Sequence, residues 1–144
     1  MHKKTVMMAV GRTHRAWEQS NRDLALRLGI PESYTKIVLF LSRKPGTNQK
    51  EIAAFSNVTT AAVNQTVKEM QAAGYLRKET DAGDKRFSNL YLTEKGAAIA
   101  ERFRAEFEKR DAVITDRISA EKEAELISLL DRIYTCIREE LPEC

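Results

Sequence analysis

The chain has 144 residues, 42% hydrophobic and 31% charged, which fits one globular domain able to bury a core without disulfide or metal. No run of about 18 apolar residues occurs, and the basic segment MHKKTVMMAVGRTHR lacks the apolar stretch of a signal peptide, so a soluble, cytoplasmic protein without a membrane partner is expected. Catalysis needs converging acid, base, nucleophile or metal groups, and His2, His14, Cys136 and Cys144 supply no such set, nor is there a glycine-rich phosphate loop. Neither an enzyme nor a bound cofactor or metal is expected.

The net charge of +3 is unevenly spread. Residues 1–42 hold 7 basic and 3 acidic side chains, residues 43–95 hold 9 and 6, and residues 96–144 hold 8 and 12. Grouped positive charge in the first two-thirds suits a polyanionic partner better than scattered charge would.

In chain order, Val6, Val10, Trp17, Leu24 and Leu28 form one stripe of a first helix, which Gly29-Ile30-Pro31 ends. Pro31 suits the first turn of a second helix with Tyr34, Ile37, Val38 and Leu41 on its apolar side, and Lys44-Pro45-Gly46 breaks it. A short third helix starts near Asn48, with Glu51 completing a capping box and Ile52, Ala53 and Phe55 facing inward. After the turn at Ser56-Asn57-Val58, Thr59 caps a helix from Thr60 to Ala73 that buries Val63, Val67 and Met70 and stops at Gly74. The period then becomes alternating, and two short strands around Asp81-Ala82-Gly83-Asp84 read as a hairpin. Thr93 caps a long helix through Ile99, Phe103 and Phe107, and Ser119 caps another through Leu126, Leu129, Leu130, Ile133 and Ile137.

Ala53, Asn57 and Val63 supply the small residue, the left-handed turn residue and the buried β-branched residue that a helix-turn-helix needs. Opposite Val63, Val67 and Met70, the second helix offers Thr60, Ala61, Asn64, Gln65 and Lys68, with Thr59 at its start: amide and hydroxyl groups for base edges and an ammonium for phosphate. On the hairpin, Lys85 and Arg86 stand beside Asp84, and an Arg on a narrow hairpin suits the minor groove.

The segment DKRFSNLYLTEKG, residues 84–96, resembles the wing signature of the MarR family of bacterial transcription regulators: Asp, a basic residue, Arg, then Leu-Thr and a Gly three residues on. The preceding NQKEIAAFSNVTTAAVNQTVKEMQAAGYL is similar to that family's two DNA-binding helices, with Asn57 where Gly is common and Thr66 where Leu is usual. The resemblance implies a mainly α fold with an α+β winged helix, in which residues of about 31–96 form the DNA-binding lobe. About 5–30 and 97–144 would form helical dimerisation regions of the same single domain. It also implies a homodimer on palindromic double-stranded DNA, acting as a repressor relieved by a small-molecule effector. The proposed DNA contacts are Thr59, Thr60, Ala61, Asn64, Gln65 and Lys68 on the recognition helix and Asp84, Lys85 and Arg86 on the wing. An effector cleft would draw on Arg15, Trp17 and Tyr34. The long apolar stripes at both chain ends independently favour dimerisation, since a monomer would expose too large an apolar patch. A winged-helix protein-interaction module, or a redox-sensing regulator acting through a C-terminal Cys, stays open. Cys136, between Ile133 and Ile137, is expected to be buried, and Cys144 to be reactive.

Overall fold

The computed structural model describes residues 4–56, 58–80, 83 and 88–140, and the chain divides into two compact units, one up to Phe103 and one from Arg104. It is mostly helical with a two-stranded antiparallel sheet.

In the first unit, α1 (Val6–Leu28) is capped by Thr5, whose hydroxyl accepts from the Met8 amide at 3.2 Å. It ends where Gly29 takes a left-handed φ of 70°, letting the Gly29 and Ile30 amides close back on the Leu26 and Ala25 carbonyls. Pro31 stands at the N-cap of α2 (Glu32–Arg43), one position before the first turn expected for it. The capping box of α3 (Gln49–Ser56) forms as expected: the Glu51 amide donates to Asn48 Oδ1 at 2.9 Å and the Asn48 amide to Glu51 Oε2 at 3.4 Å. Helix α4 (Thr60–Ala72) follows. Strands β1 (Leu76–Thr80) and β2 (Ser88–Leu92) then pair antiparallel, from Leu76 opposite Leu92 to Thr80 opposite Ser88. The segment before α3 joins this sheet, because Thr47 bridges Leu90 through the Leu90 amide to Thr47 carbonyl bond of 3.0 Å. Gly46, at φ 78°, permits that approach; a Cβ there would lie 2.9 Å from the Tyr91 hydroxyl.

The core of this unit takes Leu24 from α1, Ile37, Val38 and Leu41 from α2, Ile52 from α3, and Val63, Val67 and Met70 from α4. Leu76 and Leu90 come from the hairpin, and Ile99 and Phe103 from α5 (Glu94–Ile118). Burying each such side chain contributes about 1.5–3 kcal/mol before entropy is counted. Phe55, expected inside, is 59% exposed. The buried stripe of α3 is Ile52, Ala53 and Ser56, and Phe55 falls beside it, packing its ring 4.6 Å from that of Phe40 instead.

The second unit holds the rest of α5, α6 (Ala120–Thr135) and a π-helical turn, Cys136–Glu140. Ser119 does not cap α6 with its hydroxyl. Its backbone takes a φ of 68° in place of the extended conformation that a capping side chain requires, and its carbonyl accepts from the Lys122 amide at 3.2 Å. Cys136 is half-buried within its own chain, not buried, because none of the α6 residues around it has a covering layer there. Cys144, His2, Asn57 and the hairpin residues Asp81, Ala82 and Asp84 to Phe87 lie outside the described residues.

Candidate nucleic-acid interface

Helices α3 and α4 pack on each other, and Ala53 and Val63, the two described positions of the expected helix-turn-helix triad, are both buried. Thr59 holds an extended backbone (φ −70°, ψ 150°) and its hydroxyl accepts from the Ala62 amide at 3.2 Å, so the chain enters α4 in a fixed direction. With Val63, Val67 and Met70 buried, the helical repeat of 3.6 residues leaves the other side of α4 outward. Thr60, Ala61, Gln65 and Lys68 are exposed and Asn64 is half-buried, so the structure brings the expected recognition-helix residues onto one accessible face.

Two hydroxyls and one amide on this helix are already committed. Thr59 is used by the cap, and Thr66 turns its hydroxyl back to the Ala62 carbonyl at 3.1 Å, which lets a polar residue sit half-buried there. Gln65 Nε2 donates to Glu69 Oε1 at 2.8 Å, one turn on. Because a carboxylate only accepts, this bond orients the amide. It leaves Oε1 and the second N–H of Gln65 available, the acceptor and donor pair that adenine N6 and N7 require.

The wing residues Asp84, Lys85 and Arg86 lie outside the described residues, but the base of the wing is defined. Arg77 on β1 lies 4.7 Å from the centre of the Tyr91 ring on the opposing strand and pairs with Glu79. The Arg77 contact with Tyr91 depends on strand register, which no local sequence pattern fixes.

Of the residues suggested for an effector, Tyr34 is buried, its ring edge-on to Tyr75 at 5.6 Å. Burial foremost, then the Glu69 carboxylate and Tyr75, raises its hydroxyl pKa above the ordinary 10.0, so it is protonated at neutral pH. Arg15 and Trp17 are both exposed, and two residues apart on a helix they diverge by about 160°. Within one chain the three are therefore not brought into one cleft. His14 is at the surface, 3.5 Å from Glu18, and among the described residues no group of three or more His, Cys, Asp or Glu side chains is arranged to hold a metal ion. No helix of the described residues is long and apolar enough to cross a membrane.

A helix-turn-helix followed directly by a two-stranded hairpin, with the polar side of its second helix outward, defines a winged helix-turn-helix lobe. Residues 28–86 match the model of the MarR family. The chain is 26% identical over 105 residues, 73% of each chain, to the HTH-type transcriptional regulator BilQ of Clostridium symbiosum. It is 28% identical over 108 residues to the HTH-type transcriptional repressor Rv2887 of Mycobacterium tuberculosis, covering 75% of this chain and 76% of that one. The crystal structure of Rv2887 in complex with salicylic acid is similar in fold, with a TM-score of 0.70 at 22% identity, covering 91% of this chain and 97% of that one. So is the S. aureus MepR–DNA complex, with a TM-score of 0.77 at 18% identity, covering 94% and 99%. Residues 28–86 are thus similar to the MarR family, and about three quarters of the chain is similar to HTH-type transcriptional regulators.

Proposed function

We propose that this protein is a repressor that binds a palindromic DNA operator as a homodimer and is released by a small aromatic acid. The observation that carries the reading is the division of α4: Val63, Val67 and Met70 anchor it, while Thr60, Ala61, Asn64, Gln65 and Lys68 stand outward with groups that match base edges and phosphate. Asp84, Lys85 and Arg86 are the proposed wing contacts, on the strength of the signature they belong to.

The dimer is supported by apolar surface that one chain leaves uncovered. No α6 residue is buried within its own chain, and Leu126, Ile127, Leu129, Leu130 and Tyr134 are all exposed, as are Val6, Met7 and Met8 on α1. A second copy, presenting the same faces about a two-fold axis, would cover them. Repression and release by an aromatic acid are supported by Rv2887, named a repressor and crystallised with salicylic acid. Tyr34 would contact such a ligand together with either Arg15 or Trp17, since those two face apart.

The test is DNA binding by Gln65→Ala. It should lose about 1–3 kcal/mol of affinity through one operator position and relax base preference there, with binding to unrelated duplex unchanged. Unaltered preference at every position would show that α4 does not read bases through Gln65.

A further inference from the structure

Three successive backbone carbonyls at the exit of α4 are held by residues that open α5. The Lys95 ammonium donates to the Ala73 carbonyl at 2.7 Å, the Thr93 hydroxyl to the Gly74 carbonyl at 2.6 Å, and the Thr93 amide to the Tyr75 carbonyl at 3.1 Å. Lys95 also sits 4.2 Å from the centre of the Tyr75 ring, whose edge contact is Tyr34. Gly96 completes the junction: a Cβ there would collide with the Tyr75 carbonyl oxygen, so the two segments approach as closely as backbones can. Gly74 turns the chain at φ 79°, and the Gly96 amide in turn donates to Thr93 Oγ1 at 3.2 Å.

We propose that Lys95 is a positioning residue for DNA recognition: bonded to the Ala73 carbonyl and seated on the Tyr75 ring, it fixes the end of α4 and so the angle at which that helix enters the groove. The inference rests on the reading that α4 is the base-reading helix. A lysine on a positively charged lobe would ordinarily be assigned to phosphate. Here its donor capacity is directed at a helix C-terminus, where a cation also complements the partial negative charge of the helix dipole. Base edges must be met within a few tenths of an ångström, whereas phosphate attraction tolerates misalignment. Loosening the helix exit therefore lowers the fraction of lobes competent for specific binding and spares non-specific binding.

Lys95→Met keeps the stem and removes the charge and the donors; Lys95→Arg restores both. With Lys95→Met, operator affinity is expected to fall about tenfold, while affinity for unrelated duplex and the slope of log affinity against log salt stay those of the parent. Lys95→Arg should recover the operator affinity. A uniform loss on all duplexes with a salt slope reduced by about one would make Lys95 a phosphate contact and overturn the proposal. Unchanged operator affinity would overturn it too, as would a loss that follows a lowered melting temperature and is not rescued by Lys95→Arg. Gln65→Ala, run in parallel, separates the two levels. If Gln65→Ala alters base preference and Lys95→Met does nothing, the positioning role fails and the reading of α4 stands; if Gln65→Ala does nothing, the reading of α4 itself fails.

Discussion

Replacing Leu130 by alanine probes the face of α6 that one chain leaves uncovered. Leu130 is 49% exposed and no residue of α6 is buried in its own chain, so the substitution opens no internal cavity. Fully burying a leucine is worth about 1.5–3 kcal/mol, and roughly half of that surface is still available for a partner, about 1 kcal/mol per side chain. A two-fold axis presents the residue twice, giving about 2 kcal/mol per dimer, or about thirtyfold in the dimer dissociation constant. Sedimentation equilibrium across a concentration series reads that constant, and circular dichroism at high concentration checks that the helices remain. A parent protein sedimenting as a 16.4 kDa monomer at micromolar concentration, or a Leu130→Ala dimer as tight as the parent, would refute the reasoning.

Asn48→Ala should cost about 1 kcal/mol by removing the reciprocal cap of α3, lowering the melting temperature by about 3 °C, and adding Glu51→Ala should cost less than a second full increment. Tyr34 keeps its proton to higher pH folded than unfolded, so its contribution to stability is full below 10.0 and is lost as pH rises past that value. Denaturant unfolding of Tyr34→Phe from pH 9 to 11 should therefore show a shallower alkaline decline than the parent, and parallel curves would contradict the assigned burial.

The helices and the division of α4 were legible because each follows from a local rule. Apolar residues at helical spacing predicted Leu24, Ile37, Val38, Leu41, Val63, Val67 and Met70 inside, and Asn48 with Glu51, Thr59 and Gly74 announced where helices begin and end. Phe55 was misjudged because on an eight-residue helix one position off the stripe is enough to reach solvent, where Phe40 offers it a neighbour. Ser119 was misjudged because a capping residue type says nothing of backbone angle, and at φ 68° its hydroxyl is not used as a cap. The Thr47 bridge, the Arg77 contact with Tyr91 and the Lys95 clamp join residues 14 to 43 positions apart, so they follow from tertiary register and not from any window of sequence. Thr93 and Gly96 belong to the wing signature. Their purpose, carbonyl capture and a backbone approach that excludes any side chain, is visible only in the fold.

The central proposal, base reading by α4 in a two-fold dimer, is tested most directly by selecting bound fragments from a random DNA pool with the full chain and sequencing them. The enriched DNA should be a palindrome with half-site centres about 10 base pairs apart, and repeating the selection with Gln65→Ala should blur one symmetric pair of positions and leave the spacing intact. Enrichment of a single unpaired half-site, or of no sequence at all, would contradict it.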